Sequence, residues 1–246
     1  DEELYSSARD AEGGYHGTLV DLVNIGPSNC WKTGIFSNGL DVGSPGGRVE
    51  LGSVPFEGAF SLSVWLSAQD VNGSSSTILS KDGLQGMNLF KLQKDAGSGG
   101  VVFSFFGDGN STSFDLNSSA PVLKQDEWVH LALTFDGNAT LTMYADAVQV
   151  AQAIGLVISG MPLDQRYSNL KLGSSVDPFD GLVDDLRVYE SSLNLADLSQ
   201  IFGQGGGDFN QLELIGSGTT KIVASQSGTD FYAQAVPVPN YLTVIK

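Results

Sequence analysis

Between residues 48 and 189, apolar and polar side chains alternate in one short run after another. In FSLSVWLS, Phe60, Leu62, Val64 and Leu66 fall on one face and Trp65 on the other, the period-two signature of a strand. Such runs predict strands over Arg48 to Leu51, Phe60 to Ser67, Ser76 to Lys81, Met87 to Gln93, Val101 to Phe106 and Ser111 to Asn117. Further strands follow over Trp128 to Phe135, Thr140 to Ala145, Val148 to Ala153, Asn169 to Leu172 and Gly181 to Tyr189. Gly, Asn, Asp and Ser separate the runs because they tolerate turn conformations. In WVHLALTFDGNATLTMY the triplet Asp136–Gly137–Asn138 parts two strands and predicts a hairpin. One stretch has a helical period instead: Asn194 stands as N-cap, with Leu195, Leu198, Ile201 and Phe202 on one stripe. Many short strands and one short C-terminal helix define an all-β chain, an antiparallel jelly-roll β-sandwich.

After Gly203 the texture changes. Residues 1–203 read as the sandwich and the glycine-rich 204–210 as a flexible linker. Residues 211–246 read as a small β appendage of three strands, with VPVP between the last two. That is too short for an independent sandwich, which needs about seven strands and about 100 residues. A C-terminal strand such as Tyr241 to Ile245 could instead cover an open edge of the main sheet.

Charge narrows the partners. Twelve basic against 28 acidic residues give a net charge of −16 over 246 residues. Phosphate would be repelled, which argues against nucleic acid and against an anionic membrane surface. No apolar run is long enough to span a bilayer. The single cysteine, Cys30, excludes an internal disulfide and reads as a small buried hydrophobe. The sequence starts at Asp1 without an initiator Met and reads as a processed or excised piece. Asn72, Asn110, Asn117 and Asn138 stand in glycosylation sequons on expected turns or loops.

Several motifs follow one another in a recognisable order. DAEGGYHGTL (Asp10 to Leu19), GIFSNGLDV, FSLSVWL, TILSKDG, DEWVHLALTFDG and FDGLVDDLRVYESSLNLADLSQIF resemble the successive motifs of laminin-G-like, concanavalin A-like lectin-glucanase jelly rolls. Two departures stand out. Only nine residues precede Asp10, where relatives have a strand, and the hairpin at Ala145–Asp146–Ala147 lacks its usual glycine, which points to a longer turn. GTTKIVASQSGTDFY resembles the second half of a bacterial immunoglobulin-like repeat.

The first resemblance implies a structural calcium ion held between the opening loop and the pair Asp184–Asp185. Asp10 and Asp185 would supply carboxylates, and Gly14 and His16 carbonyls, in the oxygen-rich shell that calcium prefers. The competing reading has Asp184 bonded to Arg187 or to loop amides. The segment from Asp108 to Ser119 lacks the glycine and the final Glu of a calcium loop.

Catalysis has little to stand on. The fold hosts glucanases, but the E-x-D-x-x-E triplet of that branch is missing, and so is a G-x-S-x-G serine. His130 lies within a core strand and reads as structural. Binding fits better. Sugars are held by exposed aromatics with planar amides and carboxylates, and Trp31, Phe106, Tyr144, Tyr167 and Phe179 are loop-proximal candidates. Trp65 and Trp128 are assigned to the core. The expected function is a non-catalytic carbohydrate-binding or adhesive module, extracellular or at a cell surface, within a large multidomain protein. Its partners would be a glycan or matrix ligand and the other modules of the same chain. The alternative is a structural spacer without a small ligand; a glycoside hydrolase or lyase ranks below both.

Overall fold

A computed structural model describes residues 7–11, 14–22, 30–54, 56, 58–82, 88–106, 112–156, 169–205, 218–224 and 238–244. The chain divides into two compact units, Asp1–Gly207 and Asp208–Lys246. The first is a sandwich of two antiparallel sheets.

The eight-stranded sheet runs, in spatial order, β1 (Ser7–Ala8), β2 (Gly17–Val20), β5 (Arg48–Glu50), β14 (Leu170–Gly173), β7 (Ser76–Asp82), β8 (Asn88–Lys94), β9 (Val101–Phe106) and β10 (Thr112–Asn117). The seven-stranded sheet runs β13 (Val148–Ala153), β12 (Leu141–Ala145), β11 (Trp128–Phe135), β6 (Phe60–Ala68), β15 (Gly181–Tyr189), β4 (Asn38–Asp41) and β3 (Trp31–Thr33). The eleven strands expected from alternation are present to within one or two residues. Four more, β1 to β4, lie upstream. The two-residue β1 pairs Ser7 with Thr18, so a short strand does precede Asp10.

The inner faces meet in a phenylalanine-rich core. Phe60 and Phe135 from one sheet and Phe90, Phe103 and Phe105 from the other are all buried, with Phe56 edge-on to Phe60 at 5.1 Å and to Phe90 at 5.2 Å. Each such side chain contributes about 1.5–3 kcal/mol on leaving water. Cys30 is buried, and burial, the largest influence, pushes its thiol pKa up; an inert structural thiol results.

Strand β6 is buried on both faces. Its outward face lies under the segment that follows β15 and under helix α1 (Leu195–Gln204). Asn194 caps α1 by accepting from the amides of Ala196 and Asp197, while Asp197 reaches back to the Asn194 amide, a reciprocal capping box. Upstream, Ser61 Oγ donates to the Ser191 carbonyl at 2.8 Å and accepts from the Leu193 amide at 2.8 Å. Phe202 stacks on Trp65 at 5.6 Å and on His130 at 6.0 Å. Trp65 is therefore buried beneath the helix rather than in the Phe core, and Trp128 is only half-buried.

Strands β11 and β12 join at the expected Asp136 turn. Asp136 Oδ1 accepts from the amides of Asn138, Ala139 and Thr140, and these bonds, led by Thr140 and Asn138, hold its pKa down at about 2. Between β12 and β13 the turn is shorter than expected. Only Asp146 and Ala147 intervene, with φ of 49° and 60°, the left-handed pair of a two-residue hairpin. Asp146 Oδ1 accepts from the His130 amide at 2.8 Å, and its own amide donates to the His130 carbonyl. These bonds hold a conformation that Ala147 alone would resist.

In the second unit, β16 (Gly218–Ala224) pairs along its whole length with β17 (Val238–Val244) in a two-stranded sheet of their own. The middle strand expected in this appendage lies outside the described residues.

Candidate functional site

The two adjacent aspartates are accommodated by a bulge. The β15–β6 ladder shifts register between Asp184 and Arg187, and Asp185 takes φ 48°. The extra residue re-aims both carboxylates. Asp184 Oδ2 accepts from the Phe36 amide at 2.8 Å. Burial pushes the Asp184 pKa up, and amide bonds from Phe36, Asp185 and Ile35 offset only part of that. Asp185 accepts from Arg187 Nε through both oxygens, at 2.9 and 2.8 Å. Although burial works against its charge, Arg187 is held ionised by Asp185 and Tyr189, and its Nη1 reaches Gln204 Oε1 on α1 at 3.1 Å. The pair thus ties the 34–37 loop, the bulge and the helix together.

The opening loop folds on itself. Asp10 Oδ2 accepts from the amides of Gly14 at 2.9 Å and Tyr15 at 2.8 Å, and the Asp10 amide donates to His16 Nδ1 at 3.1 Å. Glu12 and Gly13 lie outside the described residues. As a calcium donor set, Asp10, Gly14, His16 and Asp185 fit poorly: one carboxylate faces amide donors and the other a guanidinium, where a cation would have to compete. Among the described residues, no three His, Cys, Asp or Glu side chains gather as metal ligands.

The aromatic candidates separate by burial. Trp31 (9% exposed) and Phe179 (0%) belong to the core, so neither offers a stacking platform; their closeness to turns in sequence hid the fact that their side chains point inward. Tyr167 lies outside the described residues. Tyr144 is half-buried and pairs with Ala132 on the helix-covered side of the seven-stranded sheet. Phe106 is half-buried on the outward face of β9.

That outward face of the eight-stranded sheet carries an arrangement invisible to motif reading. Successive cross-strand pairs link Ser7, Thr18, Glu50, Lys171, Ser80, Lys91, Ser104 and Asp115 into one row crossing all eight strands. At the spacing of neighbouring strands the row is roughly 33 Å long. Every member is polar. The Phe90 and Phe105 row one residue along is core, as strand alternation requires. Phe106 lies two residues beyond Ser104 on the same face.

Beside the row, Asp177 gathers side chains from three segments. Its Oδ2 accepts from Thr77 Oγ1 at 2.8 Å, Lys91 Nζ at 3.3 Å and Gln93 Nε2 at 3.5 Å, while its Oδ1 accepts from Ser174. Burial raises the Asp177 pKa, but the bonds from Ser174, Thr77 and Lys91 outweigh it and the net shift is downward. The result is a fixed, ionised carboxylate holding Lys91 and Gln93 toward solvent. A general acid of glycoside hydrolysis needs the reverse shift. Within the row, Glu50 and Asp115 are five strands apart, about 24 Å, against the at most about 9.5 Å of a glycosidase pair.

A profile of the concanavalin A-like lectin/glucanases superfamily (Laminin_G_3) matches residues 43–199, and the chain belongs to that family. No curated protein matches by sequence. Among solved structures, the botulinum neurotoxin serotype D binding domain superposes with a TM-score of 0.59 at 13% identity, over 77% of this chain and 47% of that one. A complex of the serotype D ligand-binding domain with N-acetylneuraminic acid gives 0.59 at 13%, over 95% and 62%. A Trypanosoma rangeli sialidase in complex with the inhibitor DANA gives 0.57 at 16%, over 80% and 30%. The chain spans less than two thirds of each, and at such identities the likeness is one of fold. Among the described residues, no helix is long and apolar enough to cross a membrane.

Proposed function

We propose that the first unit is a non-catalytic carbohydrate-binding or adhesive module of an extracellular, multidomain surface or secreted protein, and that it takes its glycan on the outward face of the eight-stranded sheet. The row from Ser7 to Asp115 carries this reading. It offers hydroxyls, ammonium groups and carboxylates on a rigid sheet, with the Gln93 amide and the Phe106 ring beside it. Sugar hydroxyls both donate and accept, so mixed donors and acceptors at fixed strand spacing suit them. Helix α1 packs on the other sheet, through Trp65. The similar solved structures, one named as a binding domain and one as a ligand-binding domain in complex with N-acetylneuraminic acid, support a ligand-binding role for the architecture.

A glycan array probed with the intact chain tests this. Binding is expected for wild type and is expected to fall about thirtyfold in a Lys171→Ala, Gln93→Ala double variant, at roughly 1 kcal/mol for each of the two lost hydrogen bonds. Silence across the array, with the protein folded, would favour the spacer reading instead.

A further inference from the structure

We infer that the ligand of this face is an extended, uncharged polysaccharide segment lying across the strands, rather than a terminal anionic sugar. The inference rests on the carbohydrate-binding reading above and adds the chemical class. Its basis is the charge balance and length of the row. Two carboxylates, Glu50 and Asp115, and two ammonium groups, Lys171 and Lys91, are the row's charged members. Arg48 pairs with Glu50 at 2.9 Å and with Asp21 at 3.4 Å, and Asp177 pairs with Lys91 at 3.3 Å, so the charged residues against the row sum to one negative charge. A face without positive surplus, on a chain of −16, has no surplus cation to neutralise a sialic acid or uronate carboxylate. Burying an anion there without a partner would be costly. Arg48 and Lys91 already have carboxylate partners, so an anionic sugar would have to displace them.

Length points the same way. The polar groups do not converge on one pocket but repeat from strand to strand over roughly 33 Å. Ser80 (6% exposed) and Ser104 (5%) sit low between the longer Lys171, Lys91 and Asp115 side chains, giving the row alternating high and low positions. A single sugar would touch two or three strands; a chain of several units can use the whole row. Phe106 adds an apolar ring at the β9–β10 end for the nonpolar face of one unit.

The test uses the intact chain and calorimetric titration with three sets of probes. These are gluco-, manno- and xylo-oligosaccharides of increasing length, sialyllactose, and oligogalacturonate. Affinity is expected to rise with the length of at least one uncharged series and to change less than twofold when salt is raised from low to physiological strength, since exposed charge attraction would be screened. Asp115→Ala and Thr18→Ala, exposed substitutions at opposite ends of the row, are each expected to weaken the longest oligomer about fivefold, roughly one hydrogen bond, and to leave the shortest unchanged. Preference for sialyllactose or oligogalacturonate, or full affinity reached with a disaccharide, would overturn the inference while leaving carbohydrate binding intact. Absence of binding to every probe, in protein whose melting is normal, would overturn both.

Discussion

His130 gives the most direct test of how α1 is held. Its imidazole is 1% exposed, neither ring nitrogen has a hydrogen-bond partner among the described residues, and it lies against Trp65 at 5.2 Å and Phe202 at 6.0 Å. Burial first, and the positive charge of Arg187 second, lower its pKa from 6.5 to about 4. Other charged groups face the same layer: Asp146, bonded to the His130 backbone, and Asp184, paired with Trp65 on the far side of β6. Because the folded-state pKa is depressed, the unfolded chain binds the proton first as pH falls. The stability held by the neutral imidazole is therefore complete above pH 6.5 and is lost on the way down to about 4. At about 1.4 kcal/mol for each pH unit, the loss approaches 3 kcal/mol. Denaturant unfolding followed by tryptophan fluorescence, from neutral pH to about pH 4.5, would show most of it, about 2.5 kcal/mol. Carboxylates begin to titrate at the acid end of this window, Asp184 with its raised pKa among them, so the His130 contribution is read as the difference between wild type and a variant without the imidazole. In His130→Phe, a ring of similar size that cannot ionise, the dependence is expected to flatten. Parallel losses in wild type and variant would refute the assignment, as would a wild-type protein that is indifferent to pH in this window.

Two further outcomes follow from the geometry. Ala147→Gly, at φ 60° in a two-residue turn, is expected to raise unfolding stability by about 0.5–1 kcal/mol by relieving a left-handed alanine; a loss of stability in denaturant melts would show that the methyl group packs usefully. Removing divalent ions with EDTA is expected to leave the melting temperature unchanged, because Asp185 is held by Arg187. A clear rise in melting temperature on adding millimolar calcium would show that the opening loop takes the ion despite this.

Much of the fold could be read in the chain because strands with one buried face must alternate. Phe60 to Leu66 announces its strand by alternation, although helix α1 and the segment before it bury the opposite face as well, and the Leu198, Ile201, Phe202 stripe announces the helix. The four upstream strands escaped for a physical reason. WKT and NGLD are three and four residues long, and pairing rather than alternation defines them. The site was less legible still. Trp31 and Phe179 border turns in sequence, yet the fold turns both inward. Lys91 and Asp177 stand 86 residues apart and meet only because β8 and the loop after β14 lie side by side.

By itself, then, the sequence determined the class of architecture, the period of its strands, the helix cap and the acidic character, since each depends on residues close together along the chain or on bulk composition. Tertiary structure decided which polar residues share a face. Register across eight strands joins positions from Ser7 to Asp115 and Lys171, and a slip of one residue in any pairing would send that strand's contribution into the core. It also decided the partners of Asp184 and Asp185, because a bulge in β15 depends on its pairing with β6.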